Sequence, residues 1–466
     1  MGKCKVYYQL LNYAFNDSNN DGIGDFKGII NKLDYLNNLG VEGILLSPIH
    51  KAMSYHSYDV LDYYSINDVY GDFDELIEEC NKHNISLMMD LVLNHTAVNH
   101  PWFLSAVKYH LGLSDDATYK DYYIFSEYEV KEPGWHYYMI DNKKIWFYGS
   151  FACSMPDLNY SVDCKYDNDP IFNYMVDMCK YYIDKGVRAF RIDAAMHIYE
   201  VSAGVGDVER NNKFFKAFCD AIHSYDNDVL VVGEVSLMDR AITEYKGLDS
   251  LFNFPVVDKI GSIKSMLITS KMMKNSKDFL VSNMISNHDY GVGRITNRIK
   301  GERELYEHAL LNILLPGIPF IYYGDEVGMI SKLKYRHEEY SPSYYDTLNR
   351  TMMPWDDMYI ESKLIENDVV LDDKYIIEEC ATVGTIYGKT INEQLNDIDN
   401  LYSFYKGLIN IRNKYKDIFY YGNVEDIYAD GFSICYNNSK LRVIIGNDSG
   451  DLNTKYFNVK VEMCGE

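Results

Sequence analysis

Eight apolar runs of strand length recur along the first two thirds of the chain, and most are separated by segments with helical spacing of apolar residues. In chain order the runs are residues 5–11, 41–48, 85–93, 187–193, 228–235, 250–254, 279–286 and 318–324. Regular alternation of strand and helix predicts parallel strands joined by crossover helices, and eight such strands close a barrel. We therefore expect an α/β fold, a (β/α)8 barrel that carries its chemistry at the C-terminal ends of the strands.

Two regions depart from this alternation. The interval between the third and fourth runs is long, and the stretch 96–165 is rich in Tyr, Trp and Gly. Beyond Phe419 the pattern changes to short alternating segments that are typical of antiparallel strands. We predict three parts, which are a TIM barrel (1–95 and 166–415), an inserted subdomain after strand 3 (96–165) and a small C-terminal β domain (416–466).

The charge balance excludes some classes of partner. With 45 Lys and Arg against 69 Asp and Glu, the formal net charge is −24, which repels nucleic acid and anionic lipid. No apolar run approaches the roughly 20 residues of a bilayer helix, so we expect no membrane partner. The start MGKCKVYYQLL shows no signal peptide, and nine cysteines without a CxxC pair favour buried thiols in a reducing compartment. We expect a cytoplasmic monomer, and secretion stays open for a chain trimmed at its N-terminus.

Four of the predicted strands end in acidic or histidine side chains. The strand ends are DLVLNH (90–95), RIDAAMH (191–197), GEV (233–235) and SNHD (286–289). Arg191 and Asp193 are two apart on a strand and share a face, so the guanidinium can hold that carboxylate ionised near neutral pH. Glu234 follows an apolar run, where desolvation and neighbouring carboxylates should raise its pKa as a general acid requires.

Two carboxyls in different protonation states are what cleavage of a glycosidic bond needs, and a separation of about 5 to 5.5 Å makes the reaction retaining. A single acidic residue at a strand end is usually a cap or a surface charge, but four matches in barrel order favour a site. His95, His197 and His288 could ligate a metal. On the rim of a sugar site, hydrogen bonds to hydroxyls are the favoured role, and a zinc HExxH motif is absent.

These four segments resemble the conserved regions of the alpha-amylase family, glycoside hydrolase family thirteen. Further similar signatures are HSYD (56–59), HPWF (100–103), MPDLN (155–159), GDE (324–326) and RTMMPW (350–355). The resemblance implies Asp193 as the nucleophile, Glu234 as acid and then base, and Asp289 as the group that grips sugar hydroxyls and stabilises the transition state. It also implies substrate contacts from Tyr58, Asp59, His95, Arg191, His197 and His288. Among these, Arg191 would orient the nucleophile and Tyr58 would stack under the sugar.

The segment DSNNDGIGD (17–25) alternates oxygen-bearing side chains around Gly22. Hard oxygen ligands at alternate positions with a glycine at the bend suit Ca²⁺. The predicted ligands are Asp17, Asn19, Asp21, the Ile23 carbonyl and Asp25. A solvated turn rich in Asp and Asn is the alternative. Similar loops bind a structural calcium in the oligosaccharide-acting branches of the family, so the resemblance implies Ca²⁺ here.

The substrate class also comes from the resemblance. Ala194 directly after the nucleophile is similar to members that cleave α-1,4 links, and MPDLN resembles the group between oligo-1,6-glucosidases and neopullulanases, which includes maltodextrin-acting alpha-amylases. We expect a retaining hydrolase of α-1,4 bonds in α-glucan oligosaccharides. An oligo-1,6-glucosidase or alpha-glucosidase, and a transglycosylase such as trehalose synthase, remain alternatives. A catalytically silent binding chain is disfavoured, because all three carboxylates are present.

Overall fold

The computed structural model describes residues 4–276, 279–289, 291–333, 346, 348–356, 361–364, 379–397 and 399–464. The strands are β1 (Tyr7–Leu10), β2 (Gly43–Leu46), β3 (His50–Ala52), β4 (Val60–Ile66), β5 (Ser86–Leu91), β6 (Phe125–Ser126), β7 (Trp135–Ile140), β8 (Lys143–Tyr148), β9 (Ala189–Ile192), β10 (Glu200–Ser202), β11 (Val205–Gly206), β12 (Leu230–Gly233), β13 (Ser250–Phe252), β14 (Leu280–Asn283), β15 (Ile318–Tyr322), β16 (Met329–Leu333), β17 (Glu361–Leu364), β18 (Glu379–Thr385), β19 (Asn423–Tyr428), β20 (Gly431–Tyr436), β21 (Ser439–Gly446), β22 (Leu452–Asn453) and β23 (Asn458–Met463).

The α-helices are α1 (Asn12–Phe15), α2 (Phe26–Ile30), α3 (Leu33–Leu39), α4 (Phe73–Lys82), α5 (Pro101–His110), α6 (Pro170–Lys185), α7 (Val208–Tyr225), α8 (Phe254–Val257), α9 (Ile263–Met272), α10 (Glu302–Leu314), α11 (Ile391–Gln394), α12 (Leu401–Lys414) and α13 (Lys416–Tyr421). Short 3-10 helices cover Asp68–Tyr70, Ala195–His197, Arg240–Glu244, Ile295–Asn297 and Asp325–Val327. None of the helices in the described ranges combines the length and the apolar character needed to cross a bilayer.

Eight parallel strands form a closed barrel in the order β1-β15-β14-β13-β12-β9-β5-β2. Each of the eight predicted runs contains one of these strands, so the predicted fold class is confirmed. The runs read as continuously apolar because helices cover the outer face while side chains fill the interior. Tyr7, for example, points inward and stacks on Phe320 with ring centroids 5.0 Å apart. Its neighbour in register is Gly43, where an added Cβ would stand 2.5 Å from the Tyr7 ring.

The covering helices carry their start and stop signals in the sequence. Helix α6 begins after Asp169, whose carboxylate accepts hydrogen bonds from the backbone N–H groups of Ile171 and Phe172. Proline occupies its first turn, and the helix ends at Gly186, whose φ of 122° is easily reached only by glycine. Its apolar stripe is fully buried against the barrel, so this crossover is held by packing as well as by its caps.

The regions outside the barrel are small sheets. The stretch predicted as an insertion contains α5 and a three-stranded sheet in the order β6-β8-β7. The C-terminal region forms a five-stranded antiparallel sheet in the order β19-β20-β21-β23-β22, which confirms the predicted β domain. The exact domain boundaries, the monomeric state and the compartment stay predictions.

The cysteine side chains are less uniformly buried than expected. Cys4, Cys80 and Cys179 are buried free thiols. Cys164 and Cys435 are free thiols that are only half-buried. The prediction of buried thiols therefore holds for Cys4, Cys80 and Cys179 but not for Cys164 and Cys435.

Candidate active site

The C-terminal ends of neighbouring barrel strands bring the predicted site residues together. Arg191 lies within β9, directly opposite Asp90 of β5 in the sheet register. Asp193 follows β9, Glu234 follows β12, and Asp289 lies on the loop after β14. Because parallel strands all end at the same rim, side chains far apart in the sequence face one cavity.

Three carboxyl groups share the guanidinium of Arg191. One terminal nitrogen donates to both oxygens of Asp90, at 2.7 and 2.6 Å, and to Asp193 Oδ1 at 2.7 Å. The other terminal nitrogen donates to Glu234 Oε2 at 2.5 Å. The Arg191 side chain is 3% exposed, so these ion pairs lie out of water. We call this group, Arg191 with Asp90, Asp193 and Glu234, the carboxyl cluster.

The backbone beside the carboxyl cluster takes an unusual conformation. Ala194 is in the left-handed region, with φ 46° and ψ 37°, where residues other than glycine are uncommon. This turn leads from β9 into the 3-10 helix Ala195–His197 and places the Ala194 N–H 3.3 Å from Glu234 Oε2. The strained turn thus adds a backbone donor to the Glu234 carboxyl group.

Sharing one cation leaves the cluster short of positive charge. Burial raises the pKa of Asp193 and of Glu234 to about 7 each, although Arg191 opposes the shift. Burial also raises the pKa of Asp90 to about 6. The raised pKa of Glu234 agrees with the sequence analysis. Arg191 donates to Asp193 as the sequence analysis expects and lowers its pKa, but burial outweighs this effect while Arg191 also serves Asp90 and Glu234. Asp193 and Glu234 are therefore a coupled pair, in which burial disfavours ionisation of both carboxyls at once.

Asp289 has the opposite electrostatic balance. Its side chain is 39% exposed, and Oδ1 accepts a hydrogen bond from Arg350 at 3.2 Å. The Asn287 amide donates to Oδ2 at 3.3 Å, and His288 Nε2 lies 3.3 Å from Oδ1. Burial alone would raise the pKa of Asp289, but the positive charges of Arg350 and Arg191 help to lower it below its ordinary value. Asp289 is thus a carboxylate at neutral pH.

Tyr58 and His288 form a stacked pair beside the cluster, with ring centroids 5.8 Å apart. The Tyr58 hydroxyl donates to Asp90 Oδ2 at 3.1 Å and lies 2.9 Å from His288 Nε2. Gln9 Nε2 lies 3.3 Å from His288 Nδ1. All three contacts are satisfied when Gln9 donates to Nδ1 and the proton of His288 resides on Nε2. Burial lowers the pKa of His288 to about 3, so the ring is neutral.

His95 presents an unused polar atom to the same place. Its Nε2 is buried and has no hydrogen-bond partner among the residues that the structure describes. Burial lowers the pKa of His95 to about 4, which keeps the ring neutral. Phe151 lies against it, with centroids 5.4 Å apart, and also against His197 at 4.9 Å. A buried unpaired donor or acceptor is costly, so an incoming hydroxyl group would be bound favourably here.

Most predicted catalytic and substrate-binding residues line one cavity of about 630 Å³, within the usual range for ligand sites. They are Tyr58, Asp59, His95, Asp193, His197, Glu234, His288 and Asp289. Arg191 lies directly behind them in the carboxyl cluster. Asp59 is buried and accepts hydrogen bonds from the backbone N–H and hydroxyl of Ser54 at 3.0 and 2.7 Å. The structure therefore brings these predicted residues together.

The profile of the alpha amylase catalytic domain matches residues 9–422 of the chain. The chain belongs to the alpha-amylase family. The resemblance seen in the rim segments is thereby confirmed, and membership of this carbohydrate-acting enzyme family implies an oligosaccharide substrate.

Individual members of the alpha-amylase family align with most of the chain. Alpha-amylase 3 of Dictyoglomus thermophilum is 33% identical over 487 residues, covering 99% of this chain and 88% of the relative. A 4-alpha-glucanotransferase of Thermotoga neapolitana is 32% identical, covering 70% of this chain and 72% of the relative. The crystal structure of the alpha-amylase from H. orenii superposes with a TM-score of 0.73 at 28% identity, covering 96% of this chain and 90% of that one.

Some residues of this amylase-family site were missed from the sequence. Asp90 and Arg350 stand at the head of segments that the sequence analysis singled out, DLVLNH and RTMMPW, yet neither received a role. Alternation along β5 could have placed Asp90 on the inner face. Phe151 and Gln9 carry no sequence signal, because their contacts depend on how the inserted sheet and β1 meet the rim.

The predicted calcium loop is a chain of hydrogen-bonded turns. The Asp17 carboxylate accepts bonds from the N–H groups of Asn20 and Gly22, at 2.7 and 2.8 Å. Asp25 Oδ2 accepts from Ser18, and Oδ1 caps α2 through the Gly28 N–H at 2.6 Å. In the described part of the chain, no group of three or more His, Cys, Asp or Glu residues is placed to hold a metal ion. The donor chemistry suits a hard cation, and calcium binding stays a prediction.

Proposed function

We propose that the chain is a retaining glycoside hydrolase that cleaves α-1,4-glucosidic bonds of maltooligosaccharides through a covalent glucosyl-enzyme. The observation that carries the proposal is the pairing of Asp193 and Glu234 on the two terminal nitrogens of Arg191. Inverting enzymes hold their carboxyls about 6.5 to 9.5 Å apart to admit a water, whereas retaining enzymes hold them about 5 to 5.5 Å apart. Two carboxyls on one guanidinium favour the retaining arrangement.

In the first step Glu234 donates its proton to the glycosidic oxygen while Asp193 attacks the anomeric carbon. The carbon–oxygen bond of the glycoside breaks, the shortened glucan leaves with the proton, and an ester to Asp193 forms. In the second step the Glu234 carboxylate takes a proton from water as the water oxygen attacks the same carbon and the ester breaks. The raised pKa of Glu234 suits its role as the proton donor of the first step.

The surrounding residues fit a transition state in which positive charge develops on the sugar ring. Asp289, ionised at neutral pH, can accept hydrogen bonds from hydroxyls and stabilise that charge. His95 and His288 are neutral, so they can bond hydroxyls without repelling the ring. Tyr58 lies between Asp90 and His288, where its ring can stack beneath the sugar.

The α-1,4 preference is supported by Ala194 after the nucleophile and by the alignment of nearly the whole chain with Alpha-amylase 3. The alignment with a 4-alpha-glucanotransferase favours a second candidate, in which the glucosyl group passes to another sugar instead of water. Both candidates use the same carboxyl cluster and differ only in the acceptor.

Product analysis tests the proposal. The enzyme is incubated with maltotriose, maltose, isomaltose and pullulan, and the products are separated while reducing ends are counted. Hydrolysis predicts shorter products and a gain of reducing ends, with the α anomer formed first by NMR. Products longer than the substrate without that gain would establish transfer. Cleavage of isomaltose alone would overturn the α-1,4 assignment, and an initial β anomer would overturn the retaining mechanism.

We also propose that the loop 17–25 binds a structural calcium ion. The ligands would be Asp17, Asn19, Asp21, the Ile23 carbonyl and Asp25. The loop immediately precedes α2, whose N-terminus Asp25 caps, so a bound cation would stabilise the start of the first barrel helices. It has no part in the chemical steps.

A further inference from the structure

Another acidic side chain near the site, Glu200, lies outside the carboxyl cluster at the start of β10 and is 6% exposed. It accepts hydrogen bonds from four groups. Ser150 Oγ donates at 2.8 Å and the Gly204 N–H at 3.2 Å, and the Tyr148 hydroxyl and His197 Nδ1 also donate. Burial opposes ionisation, but the bonds from His197, Tyr148 and Ser150 lower the pKa of Glu200. We call this group the Glu200 cluster.

The donors of the Glu200 cluster come from separate parts of the fold. Tyr148 is the last residue of β8 in the inserted sheet, and Ser150 lies two residues further on, next to Phe151. His197 ends the 3-10 helix that begins just after the proposed nucleophile. Glu200 therefore ties the inserted sheet to the rim of the barrel next to the reacting centre.

Glu200 stands behind the wall of the catalytic cavity. His197 lines that cavity and also a second cavity of about 870 Å³. Glu200 lines the second cavity and is not among the described residues that line the first. On the catalytic side, the Phe151 ring lies between the rings of His197 and His95 and contacts both. Glu200 thus has no direct access to substrate, but it bonds His197 and also Ser150, the residue before Phe151, on two separate segments of the cavity wall.

We propose that Glu200 is a positioning residue for glucan binding, which acts by fixing the orientation and tautomer of His197. With the Nδ1 proton donated to Glu200, the Nε2 atom is on the opposite edge of the ring, available to a hydroxyl group in the catalytic cavity. The proposal rests on the proposed function, because it assigns a binding role to one wall of that site.

A double-mutant cycle tests whether Glu200 acts through His197. Glu200→Ala is expected to raise KM about tenfold and to change kcat less than about threefold, as loss of a charge-assisted hydrogen bond in a binding wall predicts. In a His197→Ala background the same substitution should raise KM no more than about twofold further. Multiplicative effects of the two substitutions on KM, or a loss confined to kcat, would overturn the proposal.

Conservative and control variants separate positioning from folding. Glu200→Gln keeps one acceptor oxygen and should recover part of the lost affinity, and it replaces Glu200→Ala in the cycle if that variant does not fold. Glu209→Gln, at an exposed residue paired with Lys213 at 2.7 Å, should leave KM unchanged. Equal KM values for Glu200→Gln and Glu200→Ala would contradict the role of the acceptor oxygen.

Two features of the experiment make failure of the Glu200 proposal distinguishable from failure of the proposed function. The kinetics use whichever α-glucan the wild-type enzyme turns over, so a wrong bond preference changes the substrate and not the cycle. Selective ¹⁵N-histidine NMR supplies a readout without turnover, with the His197 signal assigned by its loss in His197→Ala. Glu200→Ala should shift His197 away from the Nδ1-protonated form. An unchanged tautomer would overturn the proposal even in an active enzyme.

Discussion

The carboxyl cluster and the Glu200 cluster lie on the same rim, yet the pKa of their buried carboxyl groups is shifted in opposite directions. In the first, three carboxyls divide one guanidinium, and the pKa of Asp193 and Glu234 rises to about 7. In the second, one carboxylate receives four donors, and the pKa of Glu200 falls. Burial therefore outweighs the shared guanidinium at Asp193 and Glu234, whereas the hydrogen bonds outweigh burial at Glu200.

The largest expected effect separates the two clusters by chemistry. Asp193→Asn removes the proposed nucleophile and should lower kcat by at least about 10⁴-fold, as losses of other nucleophiles do. Asp220→Asn, at an exposed residue paired with Lys216, is the matched control and should leave kcat unchanged. Initial-rate kinetics with maltotriose measure both. Substantial turnover by Asp193→Asn would remove this residue from the mechanism.

Glu234→Gln tests the proton-exchanging member of the carboxyl cluster. Loss of acid catalysis should reduce kcat by about 10² to 10⁴-fold, while KM changes little because the amide keeps the shape of the side chain. The comparison predicts that Glu200→Gln behaves in the reverse manner, with KM moving more than kcat. If both variants lost turnover alone, the distinction between the two clusters would fail.

Stability against pH should have opposite signs in the two clusters. The folded pKa of Glu234, about 7, exceeds its ordinary value of 4.5, so its favourable contribution exists below pH 4.5 and is lost as pH rises through 7. At pH 8 Glu234→Gln should therefore stabilise the fold, by at most about 3 kcal/mol. The folded pKa of Glu200 is lowered, so its contribution is present at pH 8 and is lost on acidification. Glu200→Gln should destabilise the fold at pH 8 and do so less at pH 4.

Melting temperatures of both variants and the wild-type enzyme at pH 4, 6 and 8 measure these shifts. Shifts of the same sign at pH 8 would refute the electrostatic contrast. The exposed Glu209→Gln variant serves as the control for the loss of a carboxylate and should follow the wild-type curve.

The smallest effect concerns a third group of acids, in the loop 17–25, where residues 19–23 are exposed and Asp25 is buried. Excess chelator should lower the melting temperature by a few degrees, and added calcium should restore it, since a ligand at 100 times its Kd stabilises by about 2.7 kcal/mol. An Asp17→Asn and Asp21→Asn double variant should lose this dependence. A wild-type melt that is identical with and without chelator would exclude the calcium site.

Particular residues show how far prediction from sequence reaches. Asp193, Glu234 and Asp289 were predicted because each stands at or near the end of an apolar run, in a segment that resembles a conserved region of the family. The part played by Asp90 was missed, because it reaches the guanidinium that also binds Asp193 from the neighbouring strand. No local motif predicts the role of Arg350, because its bond to Asp289 joins a segment distant in sequence to the rim.

The sequence by itself determined the number and order of the barrel strands, the acidic residues at their ends and the family, since periodicity and short motifs are properties of local sequence. Only the tertiary structure decided which acids share Arg191 and which nitrogen of the His288 ring carries the proton. It also decided that Glu200 joins the inserted sheet to His197. These contacts depend on sheet register and on how the insertion packs against the rim. Both arise from burial summed over the whole fold, which no local stretch of sequence encodes.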